Sequence, residues 1–154
     1  SLSEGELLSL QLKRIDLAIN TGNTTEALGS IGKLLQDNPN IIQLQLIAAK
    51  LLTDTARKNQ TFADWSKAIN GIPDQSIWGW GRLNQSLTRL HLDSDDPDRY
   101  FQRMMQSAVS LNECRLVAAG KANDSQTQQK LVNDARKHVK QLNSTLSREG
   151  NPFA

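Results

Sequence analysis

Leu8, Leu12, Ile15 and Ile19 recur at steps of four, three and four, a spacing that aligns side chains along one face of a helix. The pattern predicts a first helix over roughly 3–20, broken by Thr21-Gly22-Asn23. Ala27, Leu28, Ile31, Leu34 and Leu35 predict a second, capped by Thr24 or Thr25 and closed before Asn38-Pro39-Asn40. A third set, Ile42, Leu46, Ala49, Leu52 and Ala56, runs without interruption to about Lys58. Phe62, Trp65, Ala68 and Ile69 make a short fourth segment between Asn59-Gln60-Thr61 and Gly71-Ile72-Pro73.

The second half is less regular. Leu83, Leu87 and Leu90 predict a fifth helix within Ile77 to Leu92, but the glycines of Trp78-Gly79-Trp80-Gly81 cost about 1 kcal/mol each inside a helix and soften its start. Asp96 before Pro97 has the form of an N-cap with proline in the first turn, introducing a sixth helix with Tyr100, Phe101, Met104, Met105, Ala108 and Leu111. Leu116, Val117 and Ala119 suggest a short seventh over 112–122, ended by Asn123-Asp124-Ser125. Leu131, Ala135, Val139, Leu142 and Leu146 predict a long eighth before Gly150-Asn151-Pro152. No run alternates with period two or concentrates β-branched residues. The chain therefore reads as all-α, with seven or eight helices.

At 154 residues the length suits one domain over 1–154. Aromatic residues make up only 5%, so the core has to come from leucine, isoleucine and alanine. A net charge of +2 names no partner class, since binding to nucleic acid or an acidic membrane draws on many cationic contacts. The lone cysteine, Cys114, excludes an internal disulfide and reads as a small buried residue. His91 and His138 have no partner at a metal-ligand spacing and read as surface histidines. Asp93, Asp95, Asp96 and Asp98 resemble part of a calcium loop, but Pro97 replaces a ligand and the required glycine and closing glutamate are missing. Gly79 and Gly81 lack the lysine of a phosphate loop. These absences lead to the expectation of no catalytic residues, no metal and no cofactor. No stretch reaches the roughly 18 to 20 apolar residues of a membrane span, and Ser1 in place of methionine is compatible with a processed piece of a larger bacterial assembly or envelope protein. The compartment, cytoplasm or periplasm, stays open.

Pro39 and Pro73 stand 34 residues apart, and Gly22 with Ala56, Ile31 with Trp65 and Leu34 with Ala68 correspond at the same offset. Here the chain resembles the tetratricopeptide repeat family, whose 34-residue units are antiparallel helix pairs. Gly22-Asn23-Thr24-Thr25-Glu26-Ala27, followed by Ile31, Leu34 and Pro39, is similar to the second half of such a unit. The second unit keeps Ala68 and Pro73 but has Thr61 at the small-alanine position, a third needs an insertion over 93–98, and Gln11 and Gln45 stand where the family has a large aromatic. The resemblance implies hairpins at about 3–38, 40–72 and 76–112, with capping helices over 113–149, stacked as an α-solenoid. It implies a concave surface lined by the first helix of each pair, which places Asp16, Asn20, Gln43, Lys50 and Asp54 as partner-binding candidates. Leu12 and Asp16 stand where some family members carry basic residues for a peptide's terminal carboxylate, so that mode is not expected.

Trp78 and Trp80 join the candidates, since tryptophan concentrates binding energy at interfaces, with a place in the core or in a seam between hairpins as the competing reading. Lys130, Arg136, Lys137, Lys140 and Arg148, against Asp134 and Glu149, form either a solvated helical face or a nucleic-acid surface. Asn-x-Ser/Thr triplets at Asn23, Asn59, Asn84, Asn123 and Asn143 are explained by helix capping without glycosylation. The leading expectation is a non-catalytic module that binds another protein or peptide. A nucleic-acid-binding domain using the basic last helix is the alternative, and an enzyme whose site assembles only in three dimensions comes third.

Overall fold

The computed structural model describes residues 1–148, apart from the side chain of Arg148. Glu149 and the Gly150-Asn151-Pro152 terminator lie outside the described residues. The chain is all-α. Its helices are α1 (Glu4–Asn20), α2 (Thr24–Asp37), α3 (Ile42–Asn59), α4 (Phe62–Asn70), α5 (Gly79–Asp93), α6 (Phe101–Lys121) and α7 (Ser125–Arg148), with a 3-10 turn at Pro73–Gln75. Among the described residues the only extended pairing is an isolated bridge between Ile72 and Ile77.

Local chemistry sets most of the ends. Ser3 accepts from the Glu6 N–H while the Glu6 carboxylate accepts from the Ser3 N–H, a reciprocal cap that holds the Glu6 carboxyl below its ordinary pKa. Asn23, rather than Thr24 or Thr25, caps α2 through its side-chain oxygen. Thr61 caps α4, and Asp124 accepts from the Thr127 N–H at the head of α7. The expected cap at Asp96 is corrected: Ser94 and Asp96 form tight side-chain turns over 94–98, and α6 begins only at Phe101 with no side-chain cap. The sixth and seventh predicted helices are one. α6 passes unbroken through residue 112, where Asn112 and Glu113 had suggested a boundary between a hairpin and the capping helices.

Each helix packs on its neighbours in sequence, and two alternate pairs also meet, α3 with α5 and α4 with α6. Helix α3 lies at the centre. Nine of its residues are buried, Gln45 and Thr53 among them. Ala27 and Ala68 are fully buried, as close helix approach requires, and Gly22 turns the chain between α1 and α2 at φ +77°. The expected apolar faces hold less well at the two ends of the array. Leu8 and Leu12 are exposed although Ile15 and Ala18 on α1 are buried, and Val139 on α7 faces outward while Ala135 is buried.

The α4–α5 connection is built around two glycines and a glutamine. Gly71 and Gly79 have φ of +76° and +73°, and a Cβ on Gly79 would sit 2.8 Å from the Ile69 carbonyl oxygen, so neither position accepts a side chain without movement. Gln45, fully buried, then ties the connection to the core. Its amide donates to the Pro39 and Ser76 carbonyls at 2.9 and 2.8 Å, and its Oε1 accepts from the Trp78 N–H at 3.0 Å. Gln45 thus supplies hydrogen bonds that no aromatic ring in its place would offer.

Candidate binding groove

Polar side chains also cross the seams that follow. The Trp80 indole N–H donates to Thr53 Oγ1 at 2.7 Å, and Thr53 donates to the Ala49 carbonyl at 2.8 Å, so α3 and α5 are joined through a dry contact. Cys114 on α6 lies beside Thr53, buried, with its thiol pushed up to about 11 by desolvation. A thiol held protonated in this way is a poor nucleophile. Between α5 and α6, Asn84 Nδ2 donates to Ser107 Oγ at 3.0 Å, and Ser107 donates to the Met104 carbonyl at 2.7 Å.

Beyond this seam the helices part. α5 and α7 stand on either side of a groove of about 1170 Å³ whose floor includes Met104 and Leu111 of α6 and whose near end is closed by Ile69, Ser76, Ile77 and Trp78. The volume exceeds that of a usual small-molecule pocket, about 300 to 1,000 Å³, and suits a length of polypeptide. Arg82 and Arg89 rise from the α5 side, Lys137 and His138 from α7, and Arg115 from α6. Arg82 lies over the Trp78 ring, 4.9 Å from its centroid. Against these cations stand Asp93 and Asp134, and Asp134 is already paired with Lys130 at 2.8 Å. Among the described residues no carboxylate approaches Arg82, Arg89, Arg115 or Lys137 within the 4.0 Å of an ion pair.

Arg115 and His138 share one partner. Arg115 donates to Asn112 Oδ1 at 3.1 Å, and His138 Nδ1 lies 3.0 Å from Asn112 Nδ2 and 3.3 Å from Asn112 Oδ1, so the imidazole is tied to the same amide. Desolvation and the nearby Arg115 charge both hold the His138 pKa below its ordinary value. Desolvation lowers that of Arg115 as well.

The residues proposed from sequence are placed elsewhere with one exception. Asp16 and Asn20 are exposed on α1, and Gln43, Lys50 and Asp54 are exposed on α3. None of the five lines the groove. Trp78 does, as part of its closed end, whereas Trp80 is buried in the α3–α5 seam and unavailable to a partner. The groove lies where the repeat pattern fades. Its signal in the sequence is a polar stripe, Arg82, Gln85 and Arg89, across α5 from Leu83 and Leu87, and a second, Lys137, Gln141 and Thr145, along α7. A smaller hollow of about 550 Å³ lies between α2 and α4 over Leu52 and Thr55, with Lys33, Lys67 and Asp64 on its walls.

Of the other candidates, His91 is buried against Phe101, with ring centroids 5.7 Å apart, so it is not a surface histidine. Among the described residues no group of three or more histidine, cysteine or acidic side chains is placed to hold a metal ion. No described helix is long and apolar enough to cross a membrane. Capping accounts for three of the Asn-x-Ser/Thr triplets, through Asn23 at α2, Thr61 of the Asn59 triplet at α4 and Asp124 of the Asn123 triplet at α7, whereas Asn84 is buried and Asn143 lies within α7. No protein-family model, no curated protein and no solved structure matches this chain.

Proposed function

We propose that this chain is a protein-interaction module of tetratricopeptide-like, solenoid character, and that the α5–α6–α7 groove receives an acidic segment of another protein. The observation that carries the reading is the set of four groove cations, Arg82, Arg89, Arg115 and Lys137, with no carboxylate within ion-pair distance among the described residues, Asp134 acting on Arg115 only from further off. Like charges gathered at one groove repel one another, and a ligand bearing carboxylates relieves that repulsion. Leu92, exposed on α5, and half-buried Leu142 of α7 are the apolar lining within reach and suit aliphatic side chains set among the acidic ones, whereas Met104, Leu111, Ile77 and Trp78 are buried beneath. The order of packing supports the solenoid reading, since contacts run between successive helices and between two alternate pairs.

Nucleic acid is the competing ligand for a basic groove, and α7 adds Lys130, Arg136 and Lys140 near it. Single strands are held largely by stacking on aromatic faces, and no aromatic side chain among the described residues is exposed. That observation favours the peptide.

The test is a display selection with random peptides on the intact chain, followed by fluorescence titration of a selected peptide against variants. Enrichment of Asp and Glu interspersed with Leu or Ile is expected. Arg82→Glu/Arg89→Glu should weaken binding at least tenfold, and Lys50→Glu on α3 should leave it unchanged. Selection of basic or purely apolar peptides, loss of binding in Lys50→Glu, or tighter retention of labelled single-stranded RNA than of any peptide would overturn the reading.

A further inference from the structure

Helix α1 is apolar on two flanks and covered on one. Ile15 and Ala18 are buried, yet Leu2, Leu7, Leu8, Leu10, Leu12 and Leu17 are between 38% and 64% exposed. Single exposed leucines are ordinary, but six along one helix and its lead-in leave two apolar flanks open, and such apolar exposure marks an interface. Leu8 and Leu12 extend the stripe on which Ile15 and Ile19 pack, and Leu7, Leu10 and Leu17 fall along the opposite flank. The substantial packing of α1 is against α2 alone, whereas α3 packs on α2, α4 and α5.

The charges on α1 indicate what covers this flank. Glu4 and Glu6 lie in its first turn, and Lys13 and Arg14 lie more than one turn further on, Arg14 in a long, exposed contact with Glu26 of α2 at 4.0 Å that leaves most of its side chain open. An antiparallel copy of the same helix sets the acidic turn of each chain beside the basic pair of the other and brings Leu7 of one chain against Leu10 of the other. A parallel copy would stack like charges. We infer that the exposed leucine flank of α1 is a self-association surface, on which two copies of this chain pair through antiparallel α1 helices about a two-fold axis. The surface is separate from the groove and requires no ligand there.

Sedimentation analysis of the intact chain over a range of concentrations tests this. The expected mass is twice the 17.1 kDa of one chain at high concentration, falling towards one copy on dilution. Leu10→Glu/Leu17→Glu should remain monomeric at concentrations where the parent pairs. Both leucines are exposed, so the helical circular dichroism and the melting temperature should be retained. Lys13→Glu/Arg14→Glu and Glu4→Lys/Glu6→Lys should each pair poorly alone and form a mixed dimer when combined. A chain that stays monomeric throughout, a dimer that survives Leu10→Glu/Leu17→Glu, or charge variants that fail to restore one another would each overturn the inference. Peptide binding by the groove is read separately and should be the same in the monomeric variant.

Discussion

Helix α5 has two alternate neighbours, and it treats them differently. Towards α3 the gap is closed, with Trp80 filling it and its indole N–H satisfied by Thr53 at 2.7 Å. Towards α7 the gap is open, with Arg82 and Arg89 on one side, Lys137 on the other and Arg115 between them. The same helix thus presents a large, hydrogen-bonded ring to one neighbour and a row of cations to the next. Burying aromatic area with its one polar group satisfied favours contact, whereas burying unpaired guanidinium groups opposes it. A helical array made only of the first kind of seam would have no groove.

The largest effect is expected where the closed side begins. Gly79→Ala would add αL strain of about 1 to 2 kcal/mol and an overpacking cost of about 1 to 3 kcal/mol against the Ile69 carbonyl, and a urea melt would show a loss in that combined range. A loss below about 1 kcal/mol would mean that the tight backbone crossing is not what sets the start of α5.

Next comes Gln45→Leu, which leaves the Trp78 N–H and the Pro39 and Ser76 carbonyls without their side-chain partner. Orphaning the buried Trp78 N–H costs about 1 to 3 kcal/mol, and the two part-buried carbonyls, which water can reach, add about 1 kcal/mol together, so a total of about 2 to 4 kcal/mol is expected. Hydrogen exchange should localise the loss to residues 71–80 and to the near end of the groove. An unchanged exchange pattern there would separate the groove from the core that is meant to shape it.

The closed seam is sharpened by comparing two indoles. Trp80→Phe removes a made hydrogen bond and should cost about 1 to 2 kcal/mol. Trp65→Phe should cost less, because the buried Trp65 N–H has no partner among the described residues. Equal losses in thermal melts would mean that the Thr53 bond contributes nothing to the contact between α3 and α5.

These same residues show what the sequence could convey. Periodicity located the first four helices closely, because α1, α2 and α4 have side-chain caps at their starts and α3 has an uninterrupted apolar stripe. It split α6 at Asn112 and Glu113, polar residues that reach out of a continuous helix to His138 and Arg57. It placed Leu8, Leu12 and Val139 inside, since a stripe marks a face but not how far the neighbouring helix extends. The site was missed for a related reason. The family pattern directs attention to the first helices of its clearest repeats, whereas the groove depends on a separation between α5 and α7 that no local spacing encodes. The stripe of Arg82 and Arg89 was visible, but only the fold brings Arg115 and Lys137 to meet it.

A smaller effect is expected with pH. The folded-state pKa of His138 lies below its ordinary value, so the neutral ring contributes stability that is fully present above the ordinary histidine pKa and is lost as pH falls through that value towards the folded one. His138→Asn should flatten this part of the stability profile, as followed by urea melts between neutral and mildly acidic pH. An unchanged slope would show that burial and the Arg115 charge do not hold the ring neutral. An acidic ligand acts in the opposite direction, favouring the protonated ring.

Hydrogen exchange of the chain with and without a saturating, labelled acidic peptide bears most directly on the groove. Slowed exchange should map to the groove-facing turns of α5 and α7, around Arg82 to Arg89 and Asp134 to Gln141, and be absent in Arg82→Glu/Arg89→Glu. Protection centred instead on Gln43, Lys50 and Asp54 of α3, with α5 and α7 unchanged, would contradict the assignment and return the binding surface to the first helices of the repeat.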